Sequence, residues 1–299
     1  MPFGSPAPVI YILEPYGGSA RTQNPNLPHI FFDDSGITRG DGVFETLLVT
    51  DGHVANLERH AERFVRSAKK LDLPTPDVEQ WKAASRQAAE DWTAACRGER
   101  IDGRLGWSYT RGRAKTGIPT AWLTIQEATV MDRATRVRGL RVLSASRGYT
   151  MATGADAAPW RTEAAKTLDY AENMAALRWA RANNADDVIL TDPGTGRVLE
   201  AATASIIAVR RGGKLRTPKP VGGVLQGTGQ LAIFEEAEKH GWNCRAKDFN
   251  VDYLQRSESV WLVSSVRRAV RVAQLNGKKL PAPANATELA EMFDRALEK

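Results

Sequence analysis

Three stretches of the sequence carry residue types able to do chemistry together. Lys166 opens KTLDYAENMAALRWARANNADDVIL, between Ala-rich residues and an amphipathic helical pattern. A lysine in a dry setting can lose its proton and form a Schiff base with a carbonyl. Glu200 lies in RVLEAATASIIAVRR, flanked by Leu199 and Ala201. A carboxylate among apolar strand residues needs a cationic partner, because burying it alone is expensive. GVLQGTGQ, residues 223–230, runs straight into the helical LAIFEEAEKHG. A Gly-rich turn at a helix N-terminus offers backbone N–H groups and a favourable dipole to a phosphate. Each stretch alone has a plainer meaning: a solvated lysine, a solvent-facing strand glutamate, a simple turn.

Taken together they are more specific. An aldehyde, a protonated heteroaromatic nitrogen and a phosphate are the three handles of pyridoxal phosphate, and the three stretches supply one receptor for each.

The elements that must position these residues follow from hydrophobic periodicity. HIFF (29–32) and VFETLLVT (43–50) read as strands joined by a Gly- and Asp-rich turn, and TDGHVANL reads as a further hairpin. From Leu57 the pattern turns helical: Leu57, His60, Ala61, Phe64, Ala68 and Leu71 recur at three and four residues, with Asn56 as N-cap. A second helix is expected over 77–96, and strands over 103–112 and 120–129 complete a small α/β domain spanning 1–130. The polar stretch MDRATRVRG (131–139) reads as a linker. A larger C-terminal domain, 140–299, opens on the strand LRVLSAS and continues with the helix after Lys166. Strands DVILTD and RVLEAATASIIAVRR follow, then a helix ending at Gly241, strands over 259–265 and 269–277, and a C-terminal helix. The Pro- and Gly-rich residues 1–28 read as loose, or as a cover for a neighbouring subunit.

Composition bounds the partners. The 299 residues are 42% hydrophobic and 25% charged, ordinary for a globular chain. No apolar run is long enough for a transmembrane helix, and the N-terminus lacks the basic and apolar regions of a signal peptide. Cys96 and Cys244 are far apart in sequence and the four histidines are scattered, so neither a disulfide framework nor a metal site is expected. The net charge of +6 is interleaved with acidic residues and shows no nucleic-acid signature. It suits an anionic small molecule, and the expected location is the cytoplasm.

These motifs are similar to those of the class IV (fold type IV) pyridoxal-phosphate enzymes, which include branched-chain aminotransferases, D-amino-acid aminotransferases and 4-amino-4-deoxychorismate lyases. DDSGITRGDGVFETLLVTDGHVANLERHAERFVRSAKKL resembles the family's N-terminal signature, KTLDYAENMAA its lysine segment, and GRVLEAATASIIAV the segment with its pyridine-binding glutamate. The resemblance runs from about Phe31 to Val272. It implies an α/β (α+β) fold of two domains, the C-terminal one barrel-like, with pyridoxal 5′-phosphate between them, and a homodimer whose partner helps close the pocket.

The resemblance also implies roles. Lys166 is the Schiff-base lysine and proton-transfer base. Glu200 holds the pyridine nitrogen, and Tyr170 the ring hydroxyl. Arg63, Gly227, Thr228 and Ser265 bind the phosphate. Ser205, standing where asparagine is usual, belongs to the same cofactor-binding set. Phe44 and Arg111 are substrate-binding candidates, Arg111 as receptor for a carboxylate. The chain departs from the family where Gly227-Thr228-Gly229-Gln230 replaces the common Gly-Ile-Thr-Arg, and Asp169 a frequent Asn. These departures weaken assignment to the branched-chain aminotransferases. RGDGVFETL, SYTRG and VWLVSSVRRAVRV resemble the lyase-like group. The expectation is a lyase forming 4-aminobenzoate and pyruvate. The alternative is an aminotransferase for D- or branched-chain amino acids, and a binding or scaffolding protein on the same fold is a third reading. The intact Lys166, Glu200 and Arg63 favour an enzyme.

Overall fold

The computed structural model describes residues 5–150, 158 and 160–299. The chain divides into two compact units. The first is Met1–Val130 with Ala165–Tyr170 and Glu298; the second is Met131–Ala164 with Ala171–Leu297 and Lys299.

The first unit contains β1 (Val9–Leu13), β2 (Ala20–Thr22), α1 (Ser35–Arg39), β3 (Gly42–Thr50), β4 (His53–Val54), α2 (Leu57–Lys70), α3 (Val78–Ala95), β5 (Gly103–Thr110) and β6 (Thr120–Glu127). Its strands form one antiparallel sheet in the order β2-β1-β6-β5-β3-β4. Alternation along β3 sends Val43, Glu45 and Leu47 to the buried face and leaves Phe44 and Thr46 partly exposed. Helix α2 covers the buried face with His60, Ala61, Arg63, Phe64, Ser67 and Ala68. Phe64 meets Trp81 edge-on at 4.8 Å and Trp107 at 5.2 Å. Rings buried this way contribute about 1.5–3 kcal/mol each. Asn56 occupies the N-cap position in left-handed conformation, without a side-chain cap bond.

Two expectations for this unit are corrected. HIFF (29–32) is not a strand: Phe31 and Phe32 are exposed, and Asp34 instead caps α1, accepting from the Gly36 N–H at 2.8 Å. The N-terminal stretch, expected to be loose or to cover a neighbouring subunit, is not loose throughout: it supplies β1, which takes the edge of β6 with Tyr11 and Leu13 buried.

The second unit contains α4 (Arg133–Arg138), β7 (Leu140–Ser146), α5 (Ala171–Ala182), β8 (Asp187–Thr191), β9 (Val198–Ala201), β10 (Ser205–Arg210), β11 (Lys214–Thr217), α6 (Thr228–Lys239), β12 (Asn243–Ala246), α7 (Val251–Gln255), β13 (Ser259–Ser264), β14 (Arg268–Leu275), β15 (Lys278–Lys279) and α8 (Ala286–Leu297). The mixed sheet runs β12-β11-β10-β13-β14-β7-β8-β9, with β15 on β14. Both faces of its centre are covered, which is why β10 and β13 read as unbroken apolar runs. Ile207, Val209, Trp261 and Val263 pack with Ile233 of α6 and Phe293 of α8. Ile206, Ala208, Val260 and Leu262 pack with Phe249 and Leu254.

Residues 131–139, expected to be a linker, belong to this unit as an ordered helix. Arg136 makes a two-pronged bond to Asp294 of α8 at 2.8 and 2.7 Å, both side chains being buried. The single strand expected over 197–211 is divided into β9 and β10 by a turn at 202–204, which places Glu200 one residue before the end of β9.

Candidate active site

Two clusters hold the residues singled out in the sequence, one in each unit. The lysine cluster is built on β3. Residues 166–168 run antiparallel to it: the Phe44 N–H donates to the Lys166 carbonyl at 3.0 Å and the Leu168 N–H to the Gly42 carbonyl at 2.8 Å. Gly42 is required for this close approach, since a Cβ there would lie 2.8 Å from both Leu168 Cδ1 and the Tyr109 carbonyl oxygen. The Lys166 N–H donates to Ser67 Oγ of α2 at 3.1 Å. The backbone of residues 166–168 is thus held at three points, while the lysine side chain projects over aromatic rings. Nζ lies 4.2 Å from the Phe44 ring centre and 5.3 Å from that of Tyr170, and the two rings meet edge-to-face at 5.3 Å. The structure therefore brings Phe44, Lys166 and Tyr170 together.

On the opposite face of β3, Glu45 is fully buried. Its carboxylate accepts from Arg63 Nε, Arg63 Nη2 and His60 Nδ1, each at 2.7 Å. This fork fixes the plane of the Arg63 guanidinium, the arrangement needed for a planar cation that must meet an anion in one orientation. Burial pushes the Glu45 carboxyl upward, but the Arg63 charge and the bonds from Arg63 and His60 outweigh it and bring it down to about 2. Burial lowers the His60 imidazole, against the opposing pull of Glu45. Both groups therefore bind protons more readily once unfolded, and the stability they contribute is present at neutral pH and lost on acidification. The first unit should lose thermal stability as pH falls below about 6.5, and more steeply between about 4.5 and 2. Tryptophan fluorescence melting across that range checks this, because Trp81 and Trp107 pack on the same helix. A Glu45→Gln variant should flatten the lower step.

Arg111, a sequence candidate for a substrate carboxylate, has a different place. Its Nε donates to Asp41 at 2.7 Å, Nη1 to the Asp72 carbonyl at 3.1 Å and Nη2 to the Leu71 carbonyl at 2.5 Å. It pins the turn before β3 to the end of α2.

The carboxylate cluster lies in the second unit. Glu200 accepts from Arg147 Nη2 at 3.0 Å and from the Leu225 N–H at 3.3 Å. Arg147 also donates to the Gly222 carbonyl at 3.3 Å, tying β7, β9 and the 222–225 turn to one another. This is the cationic partner that the apolar setting of Glu200 demanded. Beside it, α6 begins at Gly227, where no side chain caps the helix. A Cβ at Gly227 would lie 2.1 Å from Ser205 Oγ, so Ser205 and the start of α6 are in immediate contact. Thr228 is buried in the first turn of α6. A cavity of about 150 Å³ extends from Glu200 and Ser205 along α6 to Phe234 and Cys244. Ser265 lies in the three-residue loop between Ser264 and its cross-strand partner Arg268.

Sequence reasoning missed Glu45 and His60 as supports of Arg63, Ser67 as the clamp on Lys166, and Arg147. The burial of an acidic residue at an inward position of β3 was a usable signal for Glu45. Arg147 had none beyond the need for some cation among 41 Lys and Arg residues.

The first unit offers a lysine on aromatic rings and an oriented buried arginine, and the second a carboxylate beside a cavity and a helix N-terminus without a side-chain cap; each of these groups suits one part of an aldehyde-bearing, phosphorylated pyridine. The class defined is that of pyridoxal-phosphate enzymes. Residues 42–275 match the family model of class IV aminotransferases, and the chain belongs to that family. It is 38% identical over 279 residues, 91% of this chain and 95% of the relative, to a bifunctional aminodeoxychorismate lyase/D-amino acid transaminase of Mycobacterium tuberculosis. Among solved structures, a hypothetical aminotransferase from Mycobacterium tuberculosis in PLP-bound form is 37% identical with a TM-score of 0.88, over 97% of this chain and 98% of that one. The alpha-ketoglutarate- and PMP-bound form of a hypothetical aminotransferase from that organism gives 37% and 0.87, over 96% and 99%. The fold is that of the type IV enzymes, and the cofactor is pyridoxal 5′-phosphate.

Proposed function

We propose that the protein is a lyase that converts 4-amino-4-deoxychorismate to 4-aminobenzoate and pyruvate. The observation that carries this reading is the Phe44–Tyr170 ring pair against Lys166 Nζ. It sets two aromatic rings, edge to face, beside the base, an apolar wall suited to a six-membered ring that becomes aromatic during the reaction. The lyase activity in the name of the 38% identical relative supports it.

When bound, the cofactor supplies an electron sink joined to the substrate nitrogen. Glu200, bonded by Arg147, would hold the pyridine nitrogen, the contact that keeps the ring an electron acceptor. Arg63, Thr228, Ser265 and the Gly227 backbone would hold the phosphate, with Ser205 supporting Gly227, and Tyr170 would orient the ring hydroxyl. Lys166 Nζ takes the proton from the amino-bearing carbon of the substrate. The bond from the ring to the enolpyruvyl oxygen then breaks, the ring aromatises, and a proton returned to the departing enolpyruvate gives pyruvate. No external acceptor is consumed.

A second reading, transamination of D-amino acids with a 2-oxo acid, is favoured by the other activity in that relative's name and by the alpha-ketoglutarate bound to the solved relative. The two are separated by supplying 4-amino-4-deoxychorismate without any 2-oxo acid. Equal amounts of 4-aminobenzoate and pyruvate over many turnovers support the lyase. No product, from protein carrying the cofactor's visible absorption, makes D-amino-acid transamination the better reading.

Gly227→Ala tests the phosphate end. The added Cβ collides with Ser205 Oγ, so the start of α6 must shift. Uptake of pyridoxal phosphate by the apoprotein should weaken roughly 10-fold, the cost of about one charge-assisted hydrogen bond. A Ser205→Gly change in the same chain should restore most of it.

We also place the enzyme in the cytoplasm as a homodimer. Phe31, Phe32, Ile37 and Ile118 are all more than half exposed, an apolar surface suited to a second copy. Among the described residues no helix is long and apolar enough to cross a membrane. Light scattering of the purified protein decides the oligomeric state.

A further inference from the structure

A second cavity lies within the second unit, apart from the one beside Glu200. Its volume is about 660 Å³, and Arg197, Val221, Lys247, Asp248, Phe249 and Tyr253 stand on its wall. None of them lines the smaller cavity. The volume falls in the range of small-molecule sites, about 300–1,000 Å³. Solvent reaches it, since Lys247 and Asp248 are exposed and Val221 is 48% exposed.

The carboxylates of this cavity are already committed. Asp248 accepts from Arg197 Nη1 at 3.1 Å on one oxygen and from Lys219 Nζ at 2.8 Å on the other. Asp192, also on the wall, accepts from the Gly194 and Thr195 N–H groups at 3.1 and 2.9 Å. Lys247 differs. Its Nζ lies 5.5 Å from the centre of the Tyr253 ring and has no carboxylate partner among the described residues. Around it the wall is apolar: the Phe249 and Tyr253 rings stack at 4.9 Å, and Val221 stands beside them. A cation next to apolar surface suits an anion with an apolar body. A dianion fits less well, because its second charge would face Asp192 and Asp248 without a cation of its own.

The cavity shares a wall with the Glu200 site. Arg197 Nη2 donates to the Val221 carbonyl at 2.9 Å. Gly222, at φ 63°, permits this approach, since a Cβ there would lie 2.7 Å from Nη2. The Gly222 carbonyl accepts from Arg147, and the Leu225 N–H donates to Glu200. The 221–225 turn is therefore held at one end by Arg197 and at the other by Glu200.

We propose that this cavity is an effector site for a small organic monocarboxylate, its carboxylate on Lys247 and its apolar body against Val221, Phe249 and Tyr253. A carboxylate there competes with the Val221 carbonyl for Arg197, slackens the turn and weakens the hold of Glu200 on the cofactor. That coupling, unlike the site itself, rests on the role proposed for Glu200 above.

Benzoate is the probe, with benzamide as its uncharged counterpart and phthalate as a dianion. Calorimetry on apoprotein and on holoenzyme should show benzoate bound about 10-fold or more tighter than either. Lys247→Gln should lose about 10-fold in benzoate affinity, and Lys247→Arg, which keeps the charge, should retain it. Wild-type protein that binds no benzoate overturns the proposal. So does a folded Lys247→Gln protein that binds it within about twofold of wild type, because benzoate then sits elsewhere. Pyridoxal phosphate uptake by wild-type apoprotein should weaken about 5-fold in saturating benzoate, and the same benzoate concentration should leave uptake by Lys247→Gln unchanged. Equal uptake by wild type with and without benzoate overturns the coupling. Wild-type protein that takes up no pyridoxal phosphate at all overturns the functional reading instead, while benzoate binding to the apoprotein still decides the site.

Discussion

Lys166→Ala should abolish turnover, by roughly 10³-fold or more, while leaving the fold intact. The backbone of residue 166 is held by its own N–H on Ser67 Oγ and its carbonyl under the Phe44 N–H, neither of which involves the side chain. Truncation to alanine removes the amine from over the Phe44 and Tyr170 rings and leaves both backbone bonds in place. The variant should therefore melt close to wild type, lack the visible absorption of the cofactor-bound protein, and take no borohydride-fixed label at residue 166. Full activity in this variant would remove Lys166 from the chemistry and the functional reading with it.

The second large effect concerns stability. Glu45→Ala should cost about 3–5 kcal/mol, because it leaves the Arg63 charge and the His60 ring buried without their shared acceptor. Arg63 and His60 are 6% and 1% exposed, so water cannot replace the carboxylate without opening α2 away from β3. Denaturant unfolding followed by tryptophan fluorescence reads this directly. Glu45→Gln keeps the shape and part of the hydrogen bonding, so its cost should be smaller. Because the fork also sets the plane of Arg63, the Gln variant should bind pyridoxal phosphate more weakly even where it remains folded. Normal stability in the alanine variant would show that the three groups are not coupled.

Much of the fold was legible in the sequence because local rules governed it. The 3- and 4-residue recurrence in 57–71 marked the face that α2 buries. The apolar runs of β10, β13 and β14 marked strands covered on both sides. HIFF failed for a physical reason: apolar, aromatic residues fit a strand only where an edge accepts them, and β1 already occupies the edge of β6. The stretch 131–139 failed because its polarity hid Arg136, which is buried by a partner 158 residues away in the chain.

By itself the sequence determined the chemistry on offer: a lysine before a helix, a glutamate in an apolar strand, a glycine turn at a helix start, and the family these motifs resemble. Tertiary structure decided how each is held and charged. Residues 166–168 lie against β3, and Ser67 clamps the lysine from 99 positions away in the chain. Arg147 donates to Glu200 from 53 residues away, and Glu45 orients Arg63 from the neighbouring strand. Periodicity reports which way a side chain faces within its own element. Which distant charge or ring it meets there is set by strand order and register, and no local pattern carries that information.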